Sequence, residues 1–228
     1  MQKNTFPRIA PFALFMAFIG LEELLRFLAG KGLVSLSSSA VYYLYPVKAL
    51  SVALLLVYYR NSYQEIRLRD IARFRETLIS ISVGLLVFVL WINMDFASAV
   101  IGTPQGFNPN LLSGNFTIAA MTAARLFGAV LVVPVMEELF WRSFLIRYII
   151  NPDFSKVPIG LFTWSSFLLT VLLFGLEHNL FLAGMMAGTA YNLLLYRTKS
   201  LAHCILAHAV TNLALGIYVI YTGNWQFW

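Results

Sequence analysis

Three groups of polar residues interrupt an otherwise apolar chain. Glu137, Glu138 and Arg142 lie in MEELFWRSF, Met136 to Phe144; Phe174 and His178 lie in FGLEH; His208 and Asn212 lie in HAVTN. A spacing of four puts Glu138 with Arg142, and His208 with Asn212, on one helical face. Glu138 and Arg142 can therefore form an ion pair. Glu137 is turned by about 100° from Glu138 and is free to meet groups from other helices. A carboxylate and an imidazole can together deprotonate water. An amide or imidazole donor can hold a developing oxyanion. Glu137, His178, His208 and Asn212 thus make the set that hydrolysis of an amide needs. The competing reading is a polar cluster that glues helices, and a lone histidine in an apolar helix is ordinarily a satisfied core residue. Three such groups together favour chemistry.

A metal site is the alternative use of the same residues. Glu137, His178 and His208 could ligate zinc, with a fourth position open to water whose pKa the metal would lower to about 7. No HExxH helix is present, and the histidines come from separate apolar segments. Asn212 is a poor zinc ligand and a good oxyanion donor. The expectation is a site without metal or cofactor.

EELLRF, Glu22 to Phe27, looks like a twin of the first group. No histidine motif matches it. Glu22 and Arg26 are four apart and can neutralise each other, and Lys48 can absorb Glu23. Asp95 and Arg125 are a further candidate pair. The first glutamate pair is therefore expected to be scaffold. Gly184 and Gly188 form a GxxxG, expected to serve close helix packing; Glu177 and His203, which neighbour motif residues, are expected to be structural.

The elements that must position these residues are membrane helices. Of 228 residues, 60% are hydrophobic and 11% charged, against about 25% charged in soluble domains; the mean hydropathy is +0.76. One cysteine, Cys204, leaves no internal disulfide. Runs able to span about 30 Å of hydrocarbon fall at 9–28, 39–59, 77–99, 116–146, 158–177, 181–197 and 201–222. The fourth is too long for a bare span. The expected fold is all-α, a single integral membrane domain over 1–228 with about seven transmembrane helices around a catalytic cavity.

The net charge of +6 sits in particular connections and not on a phosphate-binding face, which argues against nucleic acid. Arg60, Arg67, Arg69, Arg73 and Arg75 crowd connection 60–76, Arg147 and Lys156 lie at 147–157, and Arg197 and Lys199 at 197–200. Connection 100–115 and the tail TGNWQFW carry no charge. The alternation predicts a cytoplasmic N-terminus and an outer C-terminus. Lys3 and Arg8 precede an apolar run, but Glu22, Glu23 and Arg26 inside it argue against a signal peptide. One conflict is built into these limits. His178 falls about 30 Å from the start of the fifth segment, so that segment must be tilted, displaced or begin outside the bilayer to bring His178 to Glu137.

The order EExxxR, FxxxH, HxxxN resembles the CAAX protease and bacteriocin-processing (CPBP/ABI) family of intramembrane glutamate proteases, which includes the type II CAAX prenyl endopeptidases. AGMMAGTAYNLLLYRTKSLAHCILAHAVTN is similar to the family's approach to its third motif. The resemblance covers roughly residues 120 to 220, within a family-like core of roughly 116–222. The N-terminal half resembles the CAAX-prenyl-protease-related branch of exosortase-bearing bacteria, which implies a bacterial inner membrane. The resemblance implies that Glu137 activates water with help from His178, and that His208 and Asn212 line the oxyanion hole. It also implies that Glu138 and Arg142 hold the site in shape, with Phe174 packing beside them. The implied partner is a membrane-associated protein or peptide substrate. Two rival classes are a non-catalytic immunity or assembly factor and a proton-relaying transporter; the latter should show paired half-repeats and broken helices, and neither is visible in the sequence.

Overall fold

The computed structural model describes residues 4–37, 39–96, 99–101 and 106–228. Lys3 and part of the uncharged 100–115 connection, residues 102–105, lie outside them. Every long element is helical. The order is α1 (Phe6–Gly30), α2 (Leu44–Tyr58, entered through a 3-10 turn at Ala40–Tyr43), α3 (Phe74–Trp91), α4 (Asn115–Ile150), α5 (Trp164–Leu176), α6 (Phe181–Thr198) and α7 (Leu201–Thr222). Four rods are long and apolar enough to cross a membrane: Ala40–Tyr58, α3, α4 and α7. Leu50, Leu54, Leu86, Leu168 and Leu172 are exposed on the outside of the bundle, while Glu138, Arg142 and Asn192 are buried inside it. This inverts the arrangement of a water-soluble protein and suits a hydrocarbon surround, where polar groups must be satisfied internally.

The limits of the fifth segment differ from those expected. Residues 158–163 do not join the helix, and Thr163 caps α5 by accepting from the Ser166 backbone N–H. With 13 residues, α5 rises only about 20 Å, which removes the conflict over His178. Its C-terminal end reaches the depth of Glu137 because its N-terminal end starts late.

Helix α4 is not a uniform rod. Two π-helical turns, Gly128–Val132 and Leu139–Leu145, flank the short α-helical stretch Val133–Glu138. Pro134 has no N–H to give to the preceding turn. In an i→i+5 register the Ala129 carbonyl faces residue 134, so it is left without a backbone donor. The Asn212 side-chain amide donates to that carbonyl at 2.7 Å. A wider turn beside a proline is thus closed by a side chain from α7.

Helix α7 packs on α3, and α6 on α5. The GxxxG of α6 faces α5 as expected: a Cβ at Gly188 would meet the Phe174 ring at 3.2 Å, and one at Gly184 would meet Gly175 and His178. The first glutamate pair is scaffold, with different partners from those expected. Lys48 Nζ donates to Glu22 at 2.8 Å, not to Glu23, and no Glu22–Arg26 ion pair forms among the described residues. Two side chains on adjacent helices meet more directly than two stacked along α1. Asp95 and Arg125 do not pair either. Asp95 accepts from Gln226, and Arg125 lies over the Tyr45 ring at 4.3 Å.

Candidate active site

The long helix α4 supplies Glu137, Glu138 and Arg142 where its π turn begins. Glu138 Oε1 accepts from Arg142 Nη1 at 3.1 Å, and both side chains are buried. The same Glu138 oxygen accepts from His208 Nδ1 at 3.0 Å. A carboxylate bound to a guanidinium has no proton to give, so the imidazole is the donor. Arg142 also donates from Nε to Asn192 Oδ1 at 3.2 Å, and Asn192 passes a hydrogen bond to Thr170 at 3.0 Å. The guanidinium lies over the Phe174 ring at 4.4 Å. One cation therefore ties α4 to α5 and α6, and through Glu138 orients a histidine on α7.

Glu138 keeps only its Oε2 unpartnered, whereas Glu137 is held by no hydrogen bond at all among the described residues. Its buried Oε2 has no donor. His208 Nε2 lies 4.0 Å from that oxygen. His208 thus stands between the two glutamates, bonded to one and facing the other. Its ring stacks on Tyr191 at 5.0 Å between centroids, and Tyr191 in turn donates to Thr211 at 2.8 Å.

His178 follows the C-cap residue of α5, Glu177, and its Nδ1 donates to the Phe174 carbonyl at 2.8 Å. A carbonyl can only accept, so this bond fixes the tautomer and leaves Nε2 as the ring's acceptor. The Trp91 ring meets the imidazole edge-on at 5.3 Å.

Glu137, His178, His208 and Asn212 line one cavity of about 270 Å³, with Phe174 and Tyr191. Glu138 and Arg142 stand behind it. Glu177, expected to be structural, lines the same cavity and accepts from Trp141 Nε1 at 3.0 Å. Its adjacency to His178 was the only hint in the sequence. His203 bonds Ser80 at 3.1 Å and is not among the cavity's lining residues. Among the described residues no three His, Cys, Asp or Glu side chains converge as a metal-ligand set.

Residues 119–214 match a protein-family model described as type II CAAX prenyl endopeptidase Rce1-like. No curated protein and no solved structure matches the chain. The matched segment begins in α4, ends in α7 and contains all three motifs, so the four apolar rods belong to an integral membrane protein of protease type. The segment that carries the three motifs, residues 119–214, is thus similar to the type II CAAX prenyl endopeptidase family.

Proposed function

We propose that the protein is an intramembrane endopeptidase that cuts a membrane-associated protein or peptide, using Glu137 as the base. The observation that carries this reading is the solitary carboxylate of Glu137 in a cavity it shares with His178, His208 and Asn212. Glu137 takes a proton from water as the water oxygen bonds to the peptide carbonyl carbon. The proton then passes to the departing amine nitrogen as the C–N bond breaks. His178, with Nε2 left as an acceptor, orients that water. The carbonyl oxygen becomes an oxyanion and needs donors. Asn212 has one amide N–H committed to Ala129 and a second to offer. His208 can offer Nε2–H only when both ring nitrogens carry protons, since Nδ1 already donates to Glu138.

The test is peptide release from candidate membrane substrates, read by mass spectrometry with purified full-length protein in lipid nanodiscs. Glu137→Gln should remove cleavage while the protein keeps its thermal unfolding midpoint. Cleavage by the wild type should survive prolonged chelation. Unchanged cleavage by Glu137→Gln would end the glutamate reading. Activity lost on chelation and restored by zinc would replace it with a metal mechanism at the same residues.

A further inference from the structure

A second cavity, of about 370 Å³, lies between α2 and α4 and shares no lining residue with the cavity of Glu137. Its walls are apolar. Ala53 and Val57 come from α2, Leu131 and Val135 from α4, and Ile66 and Leu68 close it from the basic connection. Val57, Leu68 and Leu131 are exposed, so the groove opens on the side that meets hydrocarbon. Tyr63 also lines it but has spent its hydroxyl proton on the Pro7 carbonyl. The only charged side chain among its lining residues is Arg60, just past the end of α2.

Arg60 is tethered but not neutralised. Its Nη1 donates to the Val57 carbonyl at 3.2 Å, at a helix end that has carbonyls to spare. No carboxylate lies within ion-pair distance of it among the described residues. The acids of the same connection are spent elsewhere: Glu65 on Arg8 at 2.7 Å, and Asp70 on Arg67 at 3.3 Å and Arg73 at 3.8 Å. Most of the guanidinium's five donors are therefore free at the mouth of an apolar slot. Water gains nothing in such a slot, whereas a hydrocarbon chain fills it. An arginine at the end of a span reaches headgroup depth, where an anionic lipid answers its charge. A zwitterionic headgroup would bring its ammonium to the same place, and no uncommitted carboxylate waits there to receive it. A prenyl chain is neutral and would leave Arg60 idle.

We propose that the groove between α2 and α4 binds an anionic glycerophospholipid, one acyl chain lying against Val57 and Leu131 and the phosphate on Arg60. The site goes beyond the proteolytic reading and does not depend on it. Val135 precedes Glu137 by two residues, so the seated chain packs on the stretch of α4 that carries the glutamates.

The experiment titrates full-length protein, purified in detergent and stripped of lipid, with dioleoylphosphatidylglycerol or dioleoylphosphatidylcholine, and counts bound lipid by native mass spectrometry. The first phosphatidylglycerol should bind about fivefold tighter than phosphatidylcholine, the factor that one juxtamembrane cation contributes. Arg60→Gln should erase the preference. Arg75→Gln, in the same connection but outside the groove, should keep it. Ala53→Trp, which puts a ring into the half-buried slot, should weaken both lipids severalfold. Circular dichroism confirms that each variant is folded. Equal binding of the two lipids by the wild type overturns the proposal, and this comparison needs no variant. A preference that persists in folded Arg60→Gln, or that Arg75→Gln lowers as much, reports general attraction to a basic surface and overturns the site. Unchanged binding by folded Ala53→Trp overturns the groove. Displacement of the retained phosphatidylglycerol by an equimolar S-farnesylated peptide assigns the slot to a prenyl chain and overturns the phospholipid.

Discussion

The two glutamate pairs differ in what their neighbours leave over. Glu138 is consumed by Arg142 and His208, and Glu22 by Lys48. Glu137 makes no side-chain hydrogen bond among the described residues, whereas Glu138 leaves only its Oε2 unpartnered. Substitution should separate them by stability as well as by turnover. Lys48 is buried between Phe15 and Tyr45, so Glu22→Gln strands a charge, at a cost on the order of 3 kcal/mol. Glu23 is exposed and unpaired with Lys48, and Glu23→Gln should change stability by less than about 0.5 kcal/mol. Thermal unfolding in one lipid condition checks both, and equal destabilisation by the two variants would refute the assignment of Lys48 to Glu22. Residue types and spacings made much of this legible. Four-residue spacing announced Glu138 with Arg142, and it placed His208 beside Asn212. It misjudged Glu22, because the closest partner of a side chain on α1 belongs to α2. Nothing local announces that Asn212 closes a carbonyl of α4, since the need arises from Pro134 and a π turn 78 residues earlier.

At the scale of elements, the basic connection after α2 is bolted to the helices around it through Glu65. Arg8 of α1 grips both oxygens of Glu65 at 2.7 Å, Ser143 of α4 donates to it, and Arg147 stands 3.9 Å away. Tyr63 of the same connection donates to the Pro7 carbonyl at 2.9 Å. Burial pushes the Glu65 carboxyl up, but the hydrogen bonds and charge of Arg8 outweigh it and hold the group below its ordinary value. A lowered folded value means that this stabilisation is complete above the unfolded pKa of about 4.3. It is lost as pH falls through the folded value. Glu65→Gln should therefore be destabilised most near neutral pH, and its deficit against wild type should shrink below about pH 4. Unfolding midpoints measured from pH 7 to pH 3 check this; a deficit constant with pH would mean that the Glu65 charge contributes nothing. The sequence offered no route to this clamp. Arg8 and Glu65 are 57 residues apart, and in the sequence Arg8 looks like a basic residue preceding a first span. The length of α5 was equally hidden, because its six preceding residues are apolar enough to extend a span and only the Thr163 cap ends it.

For the molecule as a whole, the arginine-rich connection and the uncharged tail are expected on opposite sides of the membrane. Single cysteines introduced between 108 and 114, or at Asn224, should react with a membrane-impermeant maleimide added from outside, and those at 67 to 75 should not. The reverse pattern would turn the protein over and move the entrance of the cavity to the other side. The shortness of α5 has a consequence for the lipid itself. A helix of about 20 Å cannot match a hydrocarbon layer of about 30 Å. The bilayer beside α5 is expected to thin, with headgroups and their hydration drawn inward along its ends. His178 follows the last turn of that helix, so the dent brings the aqueous boundary toward the cavity and supplies a hydrolase with the reactant that hydrocarbon excludes. Acyl-chain length then becomes a rate-setting variable. Turnover should fall progressively as the host phosphatidylcholine is lengthened from fourteen-carbon to twenty-two-carbon chains, and a rate indifferent to that series would show that water reaches Glu137 by another road.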